Sequence, residues 1–118
     1  MKDPDHRLVI SDAVPTTHLP DGIYEDNGIN IVVTNGRSYT EDGSLNGGGT
    51  YISESVRSLV SIGFSEEEAF KAATYNVDRW LGTGYCGGVG TEAFLTGWSK
   101  DLTPAMVFFG EQVIDCGP

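Results

Sequence analysis

The sequence predicts an α/β fold in the order strand, β-hairpin region, two helices and a closing β-meander. Three observations carry that prediction. Leu8, Val9 and Ile10 form a short apolar run, as in a strand buried on both faces. Asn35-Gly36 follows an apolar stretch at 29–33 and is a strong two-residue hairpin signal. Two apolar stripes with helical spacing then lie between Ile52 and Gly82.

The first strand is expected over residues 7–11, closing on Ser11-Asp12-Ala13. Turn formers dominate from Pro15 to Gly22, so this stretch reads as a loop. Ile29-Asn30-Ile31-Val32-Val33 alternates before becoming continuous, and Asp42-Gly43 marks a turn beyond the hairpin. Ile52, Val56, Leu59 and Val60 place one apolar stripe on the first helix, with Gly63 positioned to end it in a left-handed conformation. Ser65 and Glu68 have capping-box spacing, and Glu66, Glu67 and Glu68 suit the positive end of a helix dipole. That acidic run is a helix start and not a catalytic cluster. Ala69, Phe70, Ala73, Val77, Trp80 and Leu81 continue the second stripe up to Gly82. Short strands are expected at about 92–98, 104–109 and 112–115, with a hairpin turn at Gly110-Glu111.

Composition narrows the function. At 118 residues the chain is one domain or a piece of a larger one, long enough to bury a core. Seven Lys and Arg against seventeen Asp and Glu give a net charge of −10. That balance opposes neutralising nucleic-acid phosphates or docking on an anionic membrane. No apolar run approaches the roughly 18 residues that span a bilayer, and Met1-Lys2-Asp3-Pro4-Asp5 does not lead into a signal-peptide core. A cytoplasmic location is expected. Cys86 and Cys116 are too few and too far apart for a thiolate metal site, and two reduced thiols are the simpler reading.

The chemistry-bearing residues are few. His6 and His18 are the only histidines and have no metal-ligand spacing, whereas a catalytic zinc takes about three protein ligands. His18 in a polar loop reads as a solvated histidine. GTGYCGGVG at 82–90 neither follows a clear strand nor opens a helix, so it reads as a loop and not a phosphate cradle. Asp12 is the residue of interest. An Asp closing a strand ordinarily caps a turn, but in α/β barrels the carboxyl ends of the strands hold the catalytic groups. Position alone leaves both readings open.

The wider pattern favours the second. SDA at 11–13, DGIY at 21–24, DGSLNGG at 42–48, ESVRSLV at 54–60 and EEAFKAATYNVDRWLG at 67–82 occur in one order. This series resembles the last third of N-acetylglucosamine-6-phosphate deacetylases, of the metal-dependent amidohydrolase superfamily. It implies the C-terminal portion of a (β/α)8 barrel over 1–82, comprising the last strand, the hairpin region and two helices. Short strands of the accessory β-sandwich follow over 83–118. Asp12 matches the family's general acid/base at the end of the eighth barrel strand. There it takes a proton from metal-bound water as the water attacks the acetamide carbonyl, then delivers it to the leaving amine. Leu45, Asn46 and Gly47 occupy the turn that touches the sugar, where a missing side chain admits close approach of the backbone.

The resemblance further implies hydrolysis of N-acetylglucosamine-6-phosphate to glucosamine-6-phosphate and acetate, a divalent metal such as zinc, an amino-sugar phosphate as partner, and a homo-oligomer as the complete protein. The family's metal ligands lie upstream of the matched region, so none is expected among these residues and the chain alone is expected to be inactive. The departures are specific. Gly48 stands where the family commonly has Ser, Asn46 replaces a smaller residue, Val77 stands in place of Pro, and Phe94 in place of Asp. They leave open a paralogous amidohydrolase acting on another N-acyl sugar. A non-catalytic interaction module is the alternative of a different class.

Overall fold

The computed structural model describes residues 3–85 and 87–117. Cys86, and with it the expectation about its thiol, lies outside the described residues; Cys116 is exposed. The backbone divides into two compact units, one of residues 10–55 and one of residues 1–9 with 56–118.

In the first unit three antiparallel strands, β1 (Gly22–Asp26), β2 (Ile29–Thr34) and β3 (Arg37–Thr40), lie in sequence order. Asn35 and Gly36 join β2 to β3 with φ of 50° and 70°, the double positive φ of a type I′ turn. Asn27 and Gly28 do the same between β1 and β2, with φ of 52° and 79°. The alternation of β2 then puts Ile31 and Val33 on the covered face, where both are buried. Ser38 and Tyr24 pair with Val33 and Ile31 on the neighbouring strands. The strand β1 is additional to the expected elements, which placed a loop up to Gly22 and only a hairpin after it.

Residues 7–11 are the main departure from expectation. Arg7 is extended, but no ladder forms along this run among the described residues. Its backbone groups find helices instead. In the second unit the Val9 N–H donates to the Ala72 carbonyl at 2.9 Å, one of the last-turn acceptors that a helix leaves without an internal donor. The Asn76 side-chain amide donates to the Pro4 and Arg7 carbonyls at 3.0 and 2.9 Å. The Arg7 guanidinium reaches Glu68 at 3.2 Å and stacks over Phe64 at 5.1 Å. Without a flanking strand the apolar side chains stay open: Leu8 is 40% exposed and Ile10 77%.

Helix α1 (Ile52–Ser61) ends as its sequence requires. Gly63 takes φ 102°, and the Phe64 N–H donates to the Leu59 carbonyl at 3.1 Å, as left-handed caps do. The expected second helix is two helices, α2 (Glu66–Ala73) and α3 (Tyr75–Leu81). They break at Thr74, whose hydroxyl donates to the Phe70 carbonyl one turn back at 2.7 Å, a back-bond that bends helices. The break sets Asn76 inside, 3% exposed. The sheet β4 (Phe94–Trp98), β5 (Pro104–Phe109) and β6 (Gln112–Asp115) is an antiparallel meander close to the expected one. Gly110 turns it at φ 58°, and Phe94 meets Phe109 edge-on across β4 and β5 at 5.1 Å. Phe70 of α2 packs edge-on to Trp98 of β4, also at 5.1 Å.

The capping box of α2 is complete. The Ser65 hydroxyl accepts from the Glu68 N–H at 3.2 Å, and the Glu68 carboxylate accepts from the Ser65 N–H at 3.1 Å. Ser65→Ala is therefore expected to cost about 1 kcal/mol in a denaturant melt. The Ser65 N–H, with the Ser65 hydroxyl and the Arg7 charge adding to it, holds the Glu68 carboxyl below the usual glutamate range. A depressed folded-state pKa makes this contribution fully present above about pH 4.3, and it is lost as pH falls through the folded value. The Ser65 amide shift, followed by NMR during acidification, is expected to report that loss. Glu68→Gln keeps the bond and removes its pH dependence; an unchanged titration in that variant would refute the assignment.

Candidate functional site

Asp12, Leu45, Asn46 and Gly47, the residues singled out by the sequence, all lie within the unit of residues 10–55. Asp12 is exposed and sits in the left-handed region with φ 50°, which Asp tolerates better than most residues. The Ser11 hydroxyl accepts from the Ala13 N–H at 3.2 Å, turning the chain at this point. Beyond it Val14 to Thr17 forms a tight turn, closed by the Thr17 N–H on the Val14 carbonyl at 2.8 Å.

The turn with Leu45, Asn46 and Gly47 comes to Asp12 through the backbone. Thr40 and Asp42 prepare it. The Asp42 carboxylate accepts from the Thr40 hydroxyl at 2.5 Å and from the Ser44 N–H at 3.0 Å. Those bonds, Thr40's first, hold its carboxyl below the usual carboxylate range. Leu45 then bridges Tyr39, and the Asn46 N–H donates to the Ser38 carbonyl at 2.8 Å. Gly47 follows at φ 79°. The Gly48 N–H donates to the Asp12 carbonyl at 2.5 Å, and Ala13 and Gly48 form an isolated parallel bridge. Asp12 and the Leu45–Gly47 turn are thus brought together, with Leu45 exposed and Asn46 half-buried.

No room exists for side chains along this junction. A Cβ on Gly47 would overlap Val14 Cγ1 and lie 2.8 Å from the Asp12 carbonyl oxygen. A Cβ on Gly48 would overlap the Ser11 carbonyl oxygen and lie 2.9 Å from the Ser11 carbonyl carbon. Gly48, where the resembled family commonly has Ser, is therefore dictated by how closely residues 11–13 approach.

His18 is exposed, as expected of a loop histidine, and its ring has partners. It is left-handed at φ 62°, with Nε2 3.0 Å from a Glu54 carboxylate oxygen and its ring 4.7 Å from the Tyr51 ring. Glu54 also accepts from the Tyr51 N–H at 2.6 Å, at the start of α1. Sequence reasoning took Glu54 only as part of ESVRSLV and missed Thr17. A Thr shortly after Pro in a turn is the local signal for a side-chain-to-backbone bond, but its acceptor, Gly48, lies 31 residues away.

Among the described residues no three His, Cys, Asp or Glu side chains come together in a way that could hold a metal ion. The donor set present does not fit a divalent metal centre. No helix of the described residues is long and apolar enough to cross a membrane.

Compared with solved structures, the chain has the fold of a segment of amino-sugar deacetylases. Three of the matching structures are N-acetylglucosamine-6-phosphate deacetylases from different organisms. The Thermotoga maritima protein aligns with TM-score 0.84 and 27% identity over 95% of this chain and 32% of its own. The Pasteurella multocida protein aligns with TM-score 0.83 and 21% identity over 94% of this chain and 30% of its own. A Mycobacterium smegmatis mutant, in complex with N-acetyl-D-glucosamine-6-phosphate, aligns with TM-score 0.83 and 23% identity over 94% and 31%. The resemblance read from the sequence thus recurs in the fold, and this chain spans about 30% of the length of each neighbour. No protein-family model matches the sequence, and comparison with curated proteins returns no match.

Proposed function

We propose that this chain is the C-terminal part of a hydrolase that removes the N-acetyl group of N-acetylglucosamine-6-phosphate. Residues 1–82 belong to its barrel, residues 83–118 to its accessory sheets, and Asp12 is the proton-transfer residue. One observation carries the reading: the backbone of Asp12 is joined to the Leu45–Gly47 turn through Gly48, in a fold shared with deacetylases. A carboxylate beside a backbone-lined turn suits a reaction that must hold a sugar and move one proton twice.

The carboxylate of Asp12 takes a proton from the attacking water as the water oxygen bonds to the acetamide carbonyl carbon. The same proton then passes to the amide nitrogen, the C–N bond breaks, and acetate leaves the free amine. Leu45, Asn46 and Gly47 present the sugar. The divalent metal that the resemblance implies would have to be held by residues outside this chain.

Two measurements test the reading. The 118-residue chain alone is expected to release no acetate from N-acetylglucosamine-6-phosphate, with or without added zinc. Measurable turnover would overturn that expectation. In a protein that also carries the barrel's metal-binding segments, Asp12→Asn is expected to lower turnover by at least about 10²-fold, the scale of a general acid/base. Unchanged turnover would end the catalytic assignment and favour a non-catalytic module.

A further inference from the structure

Thr17 closes a ring of hydrogen bonds around Asp12. Its hydroxyl accepts from the Val14 N–H at 2.9 Å and donates to the Gly48 carbonyl at 3.0 Å. Gly48 in turn donates its N–H to the Asp12 carbonyl. The first bond lies within the 14–17 turn, and the two bonds of Gly48 connect that turn and Asp12 to the turn that follows Leu45. The Thr17 side chain has one donor and one acceptor function in use, and the residue is only 6% exposed. Water therefore has little access to replace either bond.

We infer that Thr17 is a positioning residue for Asp12, holding it left-handed by fixing Gly48 against its carbonyl. This rests on the proposed role of Asp12, but the conformational claim stands on the ring alone. A left-handed Asp is a minority conformation, and the ring supplies a restraint that favours it over the alternatives. The neighbouring Thr16 plays a different part, since its hydroxyl lies 2.6 Å from that of Ser38, inside the β1–β3 unit. The two adjacent threonines thus divide the work, Thr16 tying the loop to the sheet and Thr17 tying it to the glycine turn.

The test is NMR on the 118-residue chain. A left-handed residue has a short amide-to-Hα distance and hence a strong intraresidue NOE. The wild-type chain is expected to show that NOE at Asp12 and slow exchange of the Gly48 amide. Thr17→Val, which keeps the shape and removes the hydroxyl, is expected to weaken the Asp12 NOE several-fold and expose the Gly48 amide. The shifts of Ile31, Val33 and Ser38 stay in place. Thr17→Ser is expected to restore both signals.

An unchanged Asp12 NOE in Thr17→Val overturns the inference. So does collapse of the β1–β3 shifts in that variant, because Thr17 would then support the whole sheet and not Asp12. Failure of Thr17→Ser to rescue also overturns it. None of these signals depends on acetate release, so failure of the deacetylase reading leaves them unaffected, and their failure leaves that reading standing.

Discussion

Gly48→Ala is expected to destabilise the chain by about 3 kcal/mol, toward the upper end of what overpacking costs. The added methyl would overlap the Ser11 carbonyl oxygen and sit 2.9 Å from the Ser11 carbonyl carbon and 3.1 Å from the Asp12 carbonyl carbon. All three obstacles are backbone atoms, so no side chain can rotate away. Either residues 11–13 retreat and the 2.5 Å bond from the Gly48 N–H to the Asp12 carbonyl is lost, or Gly48 withdraws from Thr17. Gly28→Ala is the informative control. Gly28 has φ 79° but nothing within 4 Å of its Cβ position, so it bears only the left-handed penalty of roughly 1–2 kcal/mol. Denaturant melts of the two variants separate crowding from backbone conformation. A Gly48→Ala protein as stable as wild type would mean that the close approach of Ser11 and Gly48 does not exist.

The second large effect is expected from Asn76→Ala, at about 2–3 kcal/mol. Asn76 is buried, and its amide supplies hydrogen bonds to both the Pro4 and Arg7 carbonyls. The Pro4 carbonyl retains the Arg7 N–H at 3.2 Å after the change. The part-buried Arg7 carbonyl loses the Asn76 donor, and removing one partner of such a bond costs roughly 1–3 kcal/mol. The vacated volume adds a smaller cavity cost. The Asn76 Oδ1 atom has no hydrogen-bond partner among the described residues, so its removal sacrifices no bond. Hydrogen exchange localises the result. The Val9 amide, bonded to Ala72, is expected to lose protection well before the amides of β5 do. A loss below about 0.5 kcal/mol, the scale of an unimportant surface change, would show that Asn76 does not hold residues 4–7.

How much of this was legible depends on how far away the partner of each group lies. The turn at Asn35-Gly36, the cap at Gly63 and the capping box from Ser65 to Glu68 are all as the sequence implies. The same rule applies to Asn27-Gly28, and it marks the turn that creates β1; the signal was present and equal. The strand expected over 7–11 rests on apolar character alone. That character says a segment prefers burial, but a strand also needs a neighbour offering backbone groups. Here the groups on offer are the Ala72 carbonyl and the Asn76 amide. The break at Thr74 was invisible for a similar reason, since the apolar stripe runs straight through it.

For the candidate site, the choice of Asp12 and of Leu45, Asn46 and Gly47 came from an ordered resemblance. That resemblance was silent on conformation. The left-handed backbone at Asp12, the hydroxyl of Thr17 and the Glu54 partner of His18 emerge only when chain segments about 30 residues apart meet. Gly48 changed meaning most: from a departure at one position of a motif to the residue that lets two segments touch.

By itself, the sequence determined the turns, the caps at Gly63 and Ser65 and the meander, and it singled out Asp12 as the carboxylate to propose. These depend on contacts within about four residues or on the order of residues along the chain. Only the tertiary structure decided what residues 7–13 bond to, where the second helix breaks and how Asp12 is held. The physical reason is that a backbone donor or acceptor must be satisfied by whatever group the fold brings within about 3 Å, and sequence spacing does not specify which group arrives.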